Sequence, residues 1–477
     1  MTAISKVWNQ YKGMSAPLKA SIWFTICNFL QRGISMITTP IFTRMFSAEE
    51  YGLFSTYASW ENVAMMLVTL SLYKALMNLY VKYDDKDAVL SSVCGLELLI
   101  TSIFCVLGIL FQDNVSVLLK IPQPLVICLF VNCIFQSIFQ CWSLHKRFSY
   151  SYVELVVVTL IMTLGSSLVG IICCIVINAT AIVRAISNVI ILSVVGVYLC
   201  YKIFSRNHSF IQKQIWKFAL GFCITLLPHY LSEFVLQSSD KIMINYMCGP
   251  RDVAIYSIAY SVGSLIMLFT SAINSSFAAY QYQQIKTKNY ELLSKRANQV
   301  LCFIGVILVC IMLFSPEIVL IFGGQKYKGS VELIIPICLG NYFNYMFQLF
   351  ARVQEYYERK VTIVIPSVLC ALLNIILNEI FIKKIGYRAA AYTTLFCYVL
   401  FCFVHFIFYR VVCKKILEGK SIYDIKGLIV ISIGLVLISV IISLTNQIVW
   451  IKYAVLGFAI IIAVIHKDNI KLLFKQL

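Results

Sequence analysis

Apolar runs of about 20 residues, enough to cross a hydrocarbon core of ~30 Å as a helix, follow one another along almost the whole chain with short polar breaks between them. Read with that ruler, the pattern predicts fourteen spans, at 18–39, 53–81, 88–111, 122–144, 149–174, 178–201, 217–239, 253–280, 298–322, 331–354, 361–382, 387–409, 427–444 and 448–465. Only Asn178-Ala179-Thr180 and their neighbours divide the fifth from the sixth. The expected class is an all-α polytopic membrane protein. The longest connections, Lys202–Lys217, Tyr282–Arg296 and Arg410–Lys426, are too short to form domains. In the first of them Phe210, Ile211, Ile215, Trp216 and Phe218 alternate with Lys and Gln, which predicts an amphipathic helix on the membrane surface. It follows six spans and precedes six more. The predicted organisation is a lobe over 1–204, a linker over 205–217, a second lobe over 218–412, and two appended spans with a tail over 413–477.

Polar positions inside the spans keep helical phase. In the first span Asn28, Arg32, Ser35 and Thr39 share one face, with Gln31 beside them. A guanidinium at membrane depth costs at least ~3 kcal/mol, so Arg32 is expected to face a polar chamber; the competing reading is an ion pair with a carboxylate of a neighbouring helix. The second span carries Ser71, Lys74 and Asn78, with Glu61 near its outer end, and the fourth carries Asn132, Gln136, Gln140 and Ser143. The seventh holds Thr225, His229, Glu233, Gln237 and Asp240, the eighth Tyr256, Tyr260, Ser264, Ser271 and Asn274, and the tenth Asn341, Asn344, Tyr345, Gln348 and Arg352. Stripes six spans apart predict two pseudo-symmetric six-helix lobes with a hydrophilic cavity where they face each other. Arg32, Lys74 and Arg352 are the candidate phosphate binders. Asn28, Gln31, Asn78, Gln136, Gln140, Asn274, Asn341, Asn344 and Gln348 are the candidate polar lining, where amides and aromatic rings can bond and stack sugars. Amides that merely join helices are the alternative. Pro228 predicts a kink next to His229, and His229, Glu233 and Asp240 are the candidates for coupling to H⁺ or Na⁺.

Composition adds two constraints. With 60% hydrophobic and 13% charged residues and a mean hydropathy of +0.86, a soluble globular protein is excluded. The formal charge of +18 does not call for nucleic acid, because the cations sit in short connections. With the N-terminus inside, roughly twice as many Lys and Arg fall on the cytoplasmic side as outside, which predicts both termini in the cytoplasm. The 18 cysteines show no C-x-x-C spacing and read as small core hydrophobes, so no metal site and no cofactor are predicted. The first apolar run is too long for a cleavable signal peptide and is expected to stay as the first span.

Three motifs resemble one family. TRMFSAEEYGLFS (Thr43–Ser55) resembles the signature after the first span of Wzx-type lipid-linked oligosaccharide flippases of the MOP exporter superfamily. SDKIMINYMCGPRDVAIYSIAY (Ser239–Tyr260) and GYRAAAYTT (Gly386–Thr394) are similar to two further elements of that family. Ala254, Tyr387 and Arg388 depart from the usual small residues without touching the chemistry. The resemblance implies translocation of an undecaprenyl-diphosphate-linked glycan repeat across the bacterial cytoplasmic membrane by alternating access, for O-antigen, lipopolysaccharide, capsule or exopolysaccharide. It implies no covalent chemistry, membrane lipids as surroundings, and a polysaccharide polymerase and chain-length regulator as partners. Spans 13 and 14 would form a groove for the lipid tail. A multidrug or cation antiporter of the same superfamily is the main competitor, and a membrane polysaccharide polymerase a weaker one, since no outer connection exceeds about a dozen residues.

Overall fold

The structure, a computed structural model, describes residues 13–359, 361–445 and 457. The predicted span at 448–465, apart from Gly457, lies outside the described residues, as do both chain ends and the side chains of His229 and Glu233. No strand occurs among the described residues. The helices fall into two compact units, Met1–Phe234 and Val235–Leu477.

The first unit holds α1 (Ala16–Met45), α2 (Ala48–Thr69), a 3₁₀ turn (Leu72–Ala75), α3 (Leu76–Lys82), α4 (Lys86–Leu110), α5 (Gln112–Leu119), α6 (Gln123–Phe148), α7 (Tyr152–Val176) and α8 (Ala181–Phe204). The division between units falls inside α9 (Lys213–Met247), which runs as one helix through Pro228. The second unit continues with α10 (Pro250–Gly263), α11 (Ile266–Lys286), α12 (Tyr290–Leu313), α13 (Ser315–Phe322), a 3₁₀ turn (Gln325–Ser330), α14 (Val331–Tyr356), α15 (Val361–Ile385), α16 (Arg388–Ile416) and α17 (Ile425–Thr445). Every predicted span that falls on described residues coincides with a helix or a broken helix.

Nine of the described helices are long and apolar enough to cross a membrane, and α2 with the turn and α3 passes as a tenth, bent by 55°. On α7, Ile172, Ile175 and Val176 are 57%, 71% and 76% exposed, an apolar surface that lipid, not water, would cover. The chain is therefore a multi-pass membrane protein. Helices α1, α9, α10 and α11 are not among the helices so counted. They carry three of the predicted polar stripes, those of the first, seventh and eighth spans, so counting them as spans is what the fourteen-span reading requires.

Helix ends explain much of the local sequence. Ser47 accepts the Glu50 N–H at 3.1 Å and caps α2, while the Glu50 carboxylate accepts the Ala181 N–H at 2.6 Å and caps α8. One short motif thus ties two helix starts together. Asp85 caps α4 through the Ala88 N–H at 2.9 Å. Gly249 sits at φ +98°, a conformation without penalty only for glycine, and turns the chain from α9 into Pro250 at the start of α10.

The amphipathic helix expected before the seventh span does not form. Residues 205–212 are irregular, and Ile215 and Trp216 belong to the first turns of α9. Ile215 is fully buried, and the Trp216 indole donates to the Ser92 carbonyl at 2.9 Å. Ile215, Trp216 and Phe218 are thus spent on the unit's own core, where Leu72, Leu76, Val93, Cys141, Trp142 and Leu199 meet them, while Phe210 and Ile211 are exposed.

Candidate functional site

In the first unit the helix read as continuous over 53–81 is broken. Leu70 and Ser71 stand at φ +50° and +51°, left-handed conformations that cost of order 1–3 kcal/mol each in non-glycine residues. The break is supported from three helices. Glu97 of α4, fully buried, accepts the Tyr73 N–H at 2.8 Å and the Cys141 thiol of α6 at 3.3 Å. Cys223 of α9 donates to the Ser71 carbonyl at 3.5 Å. A buried carboxylate aimed at freed N–H groups replaces the missing helical bonds. The turn so held presents Lys74, whose Nζ lies 3.1 Å from the centre of the Tyr230 ring. Asn78, one turn on, is exposed.

On α1, Asn28, Arg32 and Ser35 are exposed and Thr39 is half-buried, so the predicted stripe is one open face. Arg32 makes no hydrogen bond or ion pair among the described residues. Gln31 leaves the stripe and packs towards α7, donating to Thr163 at 3.5 Å. Gln136 and Gln140 are half-buried on α6. One turn earlier Asn132 is buried and donates to Glu61 of α2, the helix-joining use of an amide. A second guanidinium, which the sequence reading passed over, is Arg184 of α8. It donates to the Ser166 carbonyl at 2.9 Å and lies 4.7 Å over the Phe42 ring, with Gly170 leaving room for it.

In the second unit Arg352 is 9% exposed and bedded in amides. It donates to the Asn274 carbonyl oxygen at 2.5 Å, to Gln348 at 3.4 Å and to Gln281 at 3.5 Å. Asn274 in turn donates to Gln348 at 2.6 Å, and Gln281 donates to the Leu349 carbonyl at 3.0 Å and to the Tyr423 hydroxyl. No carboxylate pairs with Arg352 among the described residues. The structure therefore joins Asn274, Gln348 and Arg352 of the predicted set and adds Gln281 and Tyr423. Asn341 instead closes the end of α10, donating to the Gly263 carbonyl at 2.9 Å, and Asn344 is half-buried. α10 and α11 are also separated by a short break, at Ser264 and Leu265, which keep near-helical angles.

The second polar knot surrounds Asp240, 1% exposed. Its carboxylate accepts from Asn378 at 2.7 Å, from Thr394 at 2.8 Å and from the Tyr256 hydroxyl. Thr393 donates to the Asn378 carbonyl oxygen, and Asn374 donates to Thr394 at 3.1 Å and accepts from Asn378 at 3.3 Å. The motifs Ser239–Tyr260 and Gly386–Thr394 converge here, which gives both a physical reason. Asn374 and Asn378, spaced i, i+4 in an otherwise apolar helix, were the legible signal that the sequence reading missed. No group of three His, Cys, Asp or Glu side chains that could hold a metal occurs among the described residues.

The family described as "Polysaccharide biosynthesis protein" matches residues 18–279, and the family described as "MatE" matches residues 226–380. The chain is 22% identical over 354 residues to "Lsg locus putative protein 1" of Haemophilus influenzae, a match covering 69% of this chain and 84% of that protein. Among solved structures it is similar to the lipid II flippase MurJ in an inward closed conformation, with a TM-score of 0.68 at 17% identity over 94% of this chain and 100% of that one. It is also similar to an inward-facing multidrug resistance MATE transporter of the MOP superfamily, with a TM-score of 0.57 at 14% identity over 83% and 96%. These two likenesses establish the fold. The first family match spans more than half of the chain, and so the chain belongs to the polysaccharide biosynthesis protein family, with the fold of MOP-superfamily flippases and transporters.

Proposed function

We propose that the protein translocates an undecaprenyl-diphosphate-linked oligosaccharide repeat unit across the bacterial cytoplasmic membrane by alternating access, serving O-antigen, capsule or exopolysaccharide assembly. One observation carries the reading. Among the described side chains, three acids inside the spans, Glu97, Glu61 and Asp240, are occupied by protein donors, whereas Arg32 is left open on a polar helix face. An open cation and engaged carboxylates suit an anionic diphosphate. In this reading Arg32 and Lys74 of the first unit and Arg352 of the second contact phosphate. Asn28, Asn78, Gln136, Gln140, Asn274 and Gln348 contact sugar, and the isoprenoid tail stays in lipid. The flippase function named for the MurJ structure supports a lipid-linked substrate.

Asp240 is the proposed ion-coupling group. Its carboxylate, the Asn374 and Asn378 carbonyl oxygens and the Thr393 and Thr394 hydroxyls gather oxygen donors of the kind a hard monovalent cation takes, and protonation is the other way to neutralise a buried acid. Asp240→Asn should leave transport insensitive to the Na⁺ or H⁺ gradient that drives the wild type. Wild-type transport indifferent to every ion gradient would remove this part.

The test of the main reading is reconstitution. Full-length protein in liposomes should bring an undecaprenyl-diphosphate-linked saccharide within reach of a membrane-impermeant oxidant, and Arg32→Ala should slow this about tenfold or more. Efflux of a cationic dye with no movement of the lipid-linked saccharide would instead establish the antiporter reading, which the MatE match over 226–380 favours.

A further inference from the structure

Away from the residues assigned to transport, the first unit has a narrow recess at the helix ends that the charge bias assigns to the cytoplasm. It is lined by Asp87, Trp142, His145, Lys146, Lys202 and Arg206 over a floor of Leu90 and Ile203. We propose that this recess binds a phosphate group bearing one negative charge, as presented by an anionic phospholipid headgroup of the inner leaflet.

Three observations support it. The first is charge. Lys146 pairs with Glu154 at 2.8 Å, and Lys202 pairs with the other oxygen of the same carboxylate. With Arg206 and Asp87 included and His145 counted neutral, three permanent cations face two carboxylates. One positive charge is left over, the charge of a phosphodiester reversed. Arg206 is exposed and makes no hydrogen bond or ion pair among the described residues.

The second is an unsatisfied donor. Trp142 is 1% exposed, and its indole N–H has no acceptor among the described residues. Buried N–H groups are nearly always bonded, and an orphan in the wall of a cationic recess is a donor waiting for an acceptor. Lys146, 6% exposed, is a second buried donor of the same wall. His145 is already engaged, with Nδ1 2.9 Å from the Tyr80 hydroxyl and Nε2 3.7 Å from Asp87.

The third is position. On α8 the row Val194, Val197, Tyr198 and Tyr201 is 52–75% exposed and leads along an apolar face to Lys202 and Arg206. Acyl chains lying on that row place a headgroup at the recess. The irregular segment after α8 is held beside it: Phe210 stacks on Phe204 at 4.4 Å, and Asn207 donates to Asp85 at 3.3 Å. Bound anion at this rim would fix the connection that leads into α9.

The experiment uses full-length protein in nanodiscs of phosphatidylcholine alone, of phosphatidylcholine doped with phosphatidylglycerol, and of phosphatidylcholine with inorganic phosphate in the buffer. Ligand retained on the released protein is read by native mass spectrometry. Wild type should retain phosphatidylglycerol, and Arg206→Gln and Trp142→Phe should each retain about tenfold less. Trp142→Phe keeps the ring in the core and removes only the donor, and Arg206 is a surface residue, so both variants are expected to fold, which the melting temperature checks. Phosphate retained with the same dependence on both residues would keep the site and reassign its source to free phosphate. Equal retention by wild type and both variants, or none by wild type in either arm, would overturn the proposal. Neither variant touches the residues assigned to transport, so transport measured in parallel separates this failure from failure of the flippase reading.

Discussion

Arg32 and Arg352 are both guanidinium groups within helices of a membrane protein, yet the first unit leaves one open and the second encloses the other. Arg32 stands on an exposed face with Asn28 and Ser35, while Arg352 is 9% exposed and held by Asn274, Gln348 and Gln281. A buried cation surrounded by amide oxygens is stabilised where it is, and removing it leaves the Asn274 and Gln281 oxygens without a donor. An open cation contributes little to folding and keeps its donors for a ligand. The two arginines should therefore fail in different ways, and that difference separates binding from structure.

The largest effect is expected at the second unit's other polar knot. Asp240→Ala would strand donors from Asn378, Thr394 and Tyr256, and a loss of about 3–5 kcal/mol in stability, seen as a large drop in folded yield, is expected. Asp240→Asn should retain most of that stability, and equal losses in the two variants would mean that packing, not the donors, sets the cost.

Arg352→Ala comes next, with about 2–3 kcal/mol lost along with transport, because the Asn274 and Gln281 oxygens lose their donor. Arg352→Gln should recover part of the stability and none of the transport. Glu97→Leu should lower stability by about 1–3 kcal/mol, since the Tyr73 N–H at the α2–α3 break loses its acceptor, and should slow transport by letting the turn that carries Lys74 relax. A stable, fully active Glu97→Leu would show that the break is incidental. The smallest effect on stability is expected for Arg32→Ala, within about 0.5 kcal/mol of wild type by thermal melting.

The helices were legible because lipid-facing surface writes itself as long apolar runs, and each predicted span on described residues meets a helix. The open face of α1 was legible for the same reason, as Arg32 interrupts such a run in phase with Asn28 and Ser35. The break at Leu70–Ser71 was not. Neither residue announces a left-handed conformation, and the bonds that compensate come from Glu97, Cys141 and Cys223, distant in sequence. Gln281 was lost because it lies in the last turns of α11, where the apolar pattern has faded into the following connection, and Tyr423 lies just before α17. Gln31 went the other way: its neighbour Arg32 suggested the open face, but one residue is a 100° turn, which aims it at Thr163. The surface helix expected at 205–217 failed because Ile215 and Trp216 find their partners inside the unit.

The most direct test is the affinity of purified wild type, Arg32→Ala and Arg32→Lys for an undecaprenyl-diphosphate-linked saccharide, measured beside their melting temperatures. Binding should weaken at least about tenfold in Arg32→Ala, and less in Arg32→Lys, at unchanged melting temperature. Wild-type affinity in Arg32→Ala, or a loss of binding that only follows a loss of folding, would contradict the assignment of the open cation to the diphosphate.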